Sequence, residues 1–233
     1  MGLGLEVGIL ADLRDNDQEG FQFYVGQFAA VSRALGASGL ADHHEPLDLG
    51  GEDVVSFEMY GYSGLHFLRR IAAHVWDGRG LPPPGDDNAS KDPTMEQYYA
   101  SLDQPSPAKR VGLFRRAPKE RPNFDHLMQH SDAEGFYLPL RFQNVVFPDP
   151  SLKVAGEMIG SAPVLMEECV RLAALIQLPL DLDPESDEVW DAPENQGQGA
   201  VPWKRYGVES FTCLRLYHAC KASIRLGAAI AFV

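Results

Sequence analysis

His126 and His130 stand four residues apart in FDHLMQHSDAEGFYLPLRF, residues 124–142, with Asp132 and Glu134 close behind. On an α-helix that spacing puts both imidazoles on one face about one turn apart, where a single ion reaches both. Asp132 or Glu134 would then complete the ligand set or serve as a base, and the chemistry would be metal-assisted hydrolysis. The stretch is not HExxH, because Leu127 follows His126, so the general base built into that motif is missing. The plainer alternative is a short helix capped by Asn123 at the edge of the core, with both histidines hydrogen-bonded locally.

A second set lies in SGLHFLRRIAAHVW, residues 63–76. Arg69 and Arg70 are of the type that binds phosphate or carboxylate, and His66 or His74 would act as acid or base near neutral pH. Against this stands an amphipathic helix, in which Leu65, Leu68, Ile71, Ala72 and Val75 face inward while His66, Arg70 and His74 form a solvated polar face. His43, His44 and Glu45 make a third group, in a turn before Pro46. Six of the seven histidines therefore fall into the groups 43/44, 66/74 and 126/130. A pocket of two histidines and a carboxylate requires the fold to bring two groups together.

Standard nucleophile and phosphate motifs are missing. GYSGL and IGSAP come nearest to GxSxG, and Ser63 and Ser161 read better as helix N-caps. GLGLEVG departs from GxGxxG and has no strand before it. The three cysteines, Cys169, Cys213 and Cys220, are odd in number and form no CxxC, which predicts small, buried, reduced side chains.

The elements that must position these groups follow from periodicity. Leu3, Leu5, Val7 and Ile9 alternate as in a strand, while Leu10 and Leu13 continue at helical spacing, so the start reads as a helix or as a short strand turning into one. Asp17 caps a helix carrying Phe21, Tyr24, Phe28, Val31 and Leu35. DVVSFEMY, residues 53–60, reads as a strand, and Ser63 opens the arginine-bearing helix. Residues 78–122 form a long excursion rich in Pro, Gly and charge, read as surface, with one short helix that Asp92 caps and Pro93 begins. FYLPLRF is a strand with Pro139 at an edge or bulge. A helix follows from Ser161 and Pro163 with Leu165, Cys169, Leu172 and Ile176 inward, and another from about Val208 to Leu226. AAIAFV is a buried strand. The expectation is an α+β fold in one domain over 1–233, with about four main helices on a small mixed sheet; the alternative is a small α/β layer fold.

Charge limits the function classes. The formal net charge of −13 disfavours general binding to nucleic acid or to anionic membranes. Between Asp181 and Glu194, inside an acidic loop at 179–202, seven acidic side chains occur with no basic one. KRVGLFRRAPKER, residues 109–121, is the reverse, with six basic side chains and one acidic. Its simplest role is to face the acidic loop, in this chain or in a partner chain. No run is long and apolar enough to span a membrane, and the first residues lack a basic n-region, so a cytosolic location is expected. Two functions follow from different classes. One is a non-catalytic binding protein, inhibitor-like or immunity-like, whose acidic surface meets a basic protein partner; it needs no cofactor and allows a homo-oligomer. The other is a hydrolase using His126, His130 and Asp132 with a divalent metal.

Overall fold

The computed structural model describes residues 3–85, 89–102 and 122–233. The basic stretch 109–121 lies outside the described residues. The architecture is α+β, with helices packed on a small mixed sheet.

Five strands lie in the order β2-β1-β5-β3-β4. They are β1 (Gly4–Val7), β2 (Val55–Glu58), β3 (Phe136–Leu138), β4 (Ile159–Ser161) and β5 (Ile230–Phe232). Only β3 and β4 run parallel among the described pairs, which sets aside the α/β layer alternative. β5 is central and joins the two halves of the sheet. Leu5 lies opposite Phe57 on one side and Phe232 on the other.

Helices cover both faces. α1 (Ile9–Asn16) and α2 (Gln18–Ala37) pack on the side of Phe136, Leu138, Ile159 and Ala231. The other face carries Leu5, Val7, Tyr137, Ile230 and Phe232. There the larger core forms with α3 (Ser63–Trp76), α4 (Pro93–Leu102), α5 (Asp125–Met128), α6 (Ala162–Ile176) and α9 (Gly207–Leu226), joined by the short α7 (Asp187–Trp190) and α8 (Pro202–Arg205). α6 against α9 is the most extensive helix pair. No helix among the described residues is long and apolar enough to cross a membrane.

The ambiguous start resolves into both readings. The alternating residues form β1, and Gly8, at φ 92°, makes the left-handed turn that begins α1. Asp17 caps α2 by accepting the Glu19 and Gly20 N–H groups. Ser161 caps α6 through the Val164 N–H, and Leu165, Cys169, Leu172 and Ile176 are buried as their stripe predicts.

Three expectations need correction. Ser63 does not cap α3: it is the first helical residue, and its hydroxyl meets the Tyr60 carbonyl at 3.4 Å. The 78–122 excursion is not wholly on the surface, because Met95 and Tyr98 of α4 enter the core and the Pro82 and Pro83 carbonyls accept bonds from Tyr206 and Arg70. The polar side of α3 is not a solvated face either. Arg69 and Arg70 are both buried, since α4, α5 and α9 close over that side and offer internal partners.

Candidate functional site

α5 is a single turn, too short to persist alone in water. Two buried side chains from other helices hold its ends. Buried Glu168 of α6 accepts the His126 and Leu127 N–H groups at 3.2 and 2.8 Å. Arg69 of α3 donates from Nε to the Leu127 carbonyl at 2.7 Å and from Nη2 to the His130 carbonyl at 2.6 Å, and it pairs with Asp132. A hydrogen-bond acceptor therefore sits at the helix N-terminus and a cation at its C-terminus, so that backbone groups left over at both ends of the turn find partners. Burial pushes the Glu168 carboxyl up to about 8, against the pull of its two N–H donors.

The histidines are part of this packing. His126 Nδ1 accepts the Ser161 N–H at 2.9 Å, which places the ring proton on Nε2, 3.2 Å from the Gln143 carbonyl. His130 falls beyond the end of α5 and stacks on Tyr137 with ring centroids 4.0 Å apart. Its nitrogens lie 3.2 and 3.3 Å from the Ser131 and Phe136 carbonyl oxygens, and burial holds its pKa down to about 4. The expected common face for a metal is thus not formed: the helix stops at Met128, and the two rings turn to different backbone partners. Among the described residues, no group of three or more His, Cys, Asp or Glu side chains is placed to hold a metal ion. Asp132 does meet a second histidine group, with His66 at 3.2 Å on one oxygen and Arg69 on the other. Glu134 is exposed and lines a separate cavity with Gln27 and Lys153.

All four anion-binding candidates of α3 pair with carboxylates of the chain itself. His66 and Arg69 share Asp132, Arg70 meets Glu209 of α9 at 3.6 Å, and His74 meets Asp92 at 3.0 Å. In the third group, buried His43 bonds Glu45 at 2.7 Å, and Glu45 also accepts the Ala229 N–H at 2.8 Å beside β5. These clusters tie helix to helix and loop to sheet.

The acidic loop is a different kind of surface. All seven of its carboxylates from Asp181 to Glu194 are exposed, and the backbone beneath them is fixed. Val189 of α7 and Ala192 are buried against the core. Gly207, the first residue of α9, comes so close that a Cβ there would drive into the Ala192 carbonyl. Gln196 donates to Glu209 at 2.8 Å and accepts the Val208 N–H at 2.9 Å. Arg215 of α9, fully buried, donates to Glu185 at 3.0 Å and lies 4.5 Å from the Trp190 ring centroid. Glu188 has Lys204 at 3.2 Å, an exposed pair worth little in water.

Asp187, Glu188 and the C-cap Asp191 fall within four residue steps, a helical rise of about 6 Å. That is roughly one negative charge per 3 Å, the same order as the phosphates of duplex DNA at about one per 1.7 Å of axis. Such a surface attracts cations. The acidic run was visible in the sequence. Glu58, which lies beside Trp190 and Glu194, and Arg215 beneath them carried no local signal, because their roles depend on contacts with distant segments.

No curated protein and no solved structure matches the chain. The profile of one protein family, described as "Putative DNA-mimic protein", matches residues 1–232, and the chain belongs to that family.

Proposed function

We propose that this chain is a non-catalytic binding protein that engages the nucleic-acid-contacting face of a basic protein, presenting carboxylates where that face would meet phosphates. The observation that carries the reading is the exposed run from Asp181 to Glu194, seven carboxylates held on a fixed backbone around α7. Family membership supports it. So does the overall charge. Six of the chain's 20 basic side chains lie in 109–121, which leaves 14 basic against 32 acidic side chains elsewhere. Complementary charge of this kind speeds encounter and selects partners by sign. The reading calls for no cofactor and places the protein in the cytosol with its partner.

The test is displacement. Proteins of the source cell that are retained on immobilised duplex DNA are washed with the purified chain. Release of one or more of them at near-stoichiometric chain is expected. The combined variant Asp187→Asn, Glu188→Gln, Asp191→Asn and Glu194→Gln should release at least about tenfold less, since each lost charge contact costs a fraction of a kcal/mol to several. No release by the wild type, or equal release by the variant, would overturn the reading.

A further inference from the structure

Beside the acidic run lies a cavity of about 470 Å³ between the end of β2 and α7. Its walls include Tyr60, Trp190 and Phe211, together with the exposed Glu58 and Glu194. Tyr60 is 42% exposed and Trp190 39%, whereas Phe211 at 3% belongs to the core behind them. Exposed rings flanked by carboxylates fit one kind of side chain well. A guanidinium stacks on aromatic faces and donates its N–H fork to a planar carboxylate, whereas an ammonium does neither as well.

The protein already uses these rings in that way. Arg215 lies 3.6 Å from the Phe211 ring centroid and 4.5 Å from that of Trp190. Its charge is offset by Glu185, with Glu58 and Asp183 also near, so the surroundings of the cavity remain negative.

We infer that this cavity is a socket for an arginine side chain of the partner protein, with Tyr60 and Trp190 receiving the guanidinium plane and Glu58 and Glu194 its N–H groups. The inference rests on the binding reading above and adds a selectivity to it. Bare carboxylates attract any cation, but the socket would rank an arginine-rich face above a lysine-rich one.

Labelled oligoarginine and oligolysine peptides of equal length, titrated with the full chain by fluorescence anisotropy, test it. The wild type should bind oligoarginine about tenfold more tightly than oligolysine. Tyr60→Leu should bring that ratio within about twofold by weakening oligoarginine more than oligolysine, and Tyr60→Phe, which keeps the ring, should restore it. A ratio near one in the wild type overturns the socket and leaves the acidic-surface reading standing. A ratio that survives in Tyr60→Leu also overturns it, because the exposed carboxylates alone would then supply the preference. Failure to bind either peptide at low salt overturns both readings.

Discussion

Glu168 carries its carboxyl into the core because two N–H groups at the start of α5 need an acceptor there. Its ionisation is therefore linked to folding. The carboxyl rises from 4.5 to about 8 in the folded chain, so between those values the native state holds one proton more than the unfolded state. Stability from this group is full below pH 4.5 and is lost as pH rises toward 8. Buried His130 acts in the opposite sense: its pKa falls from 6.5 to about 4, so its contribution is present above pH 6.5 and lost as pH falls toward 4. Between pH 4.5 and 6.5 the two oppose each other. Between 6.5 and 8 only Glu168 of this pair still titrates. The melting temperature is expected to fall from pH 6.5 to 8, and Glu168→Gln, which cannot ionise, should flatten that slope. A slope identical in the variant would show that other groups carry it.

At the scale of elements, the acidic run depends on how α9 begins. Gly207 lets the backbone of Ala192 lie against the first turn of α9, which sets the height and orientation of α7 and the turn after it. Gly207→Ala should push the two apart, cost about 1–3 kcal/mol by overpacking and weaken partner binding without removing a charge. Urea denaturation reads the first effect and the displacement assay the second; a variant as stable as the wild type would mean the contact is slack. Elements with local grammar were legible in the sequence. α6 has a cap, an early proline and a four-membered apolar stripe, and α2 has Asp17 before a long periodic run. β4 was not legible, because it is only the three residues IGS, the last of which is already the cap of α6, and leaves no room for alternation. Arg69 and Arg70 misled for a physical reason. Amphipathic spacing assigns charged residues to water unless partners come from elsewhere, and here they come from Asp132 and Glu209, which are 63 and 139 positions away. The histidine spacing in 124–134 was read correctly as a short helix, but its length was not, and length decides whether two imidazoles share a face.

Across the whole molecule, a folded surface with about one charge per 3 Å differs from DNA in its ions as well as its shape. Duplex DNA holds condensed counterions whose release drives binding, with log K falling by about 0.9 per phosphate neutralised for each unit of log salt. A sparser protein surface holds fewer such ions and is screened over about 8–10 Å instead. The partner's affinity for this chain should therefore fall less steeply with salt than its affinity for DNA, so the chain should compete better as salt rises. Parallel titrations of one partner against both ligands over a salt series check this; equal slopes would argue against it. The sheet also governs how such titrations can be set up. Gly4 lies opposite Glu58 in the β1–β2 ladder and exchanges both backbone hydrogen bonds with Val233. Glu58 in turn lines the aromatic cavity. Gly4 and Val233 thus lie together at that corner, and a tag, fluorophore or bead attached beside either residue grows out next to the surface under study and shields it. Tethering through an internal side chain on the opposite flank keeps that corner open.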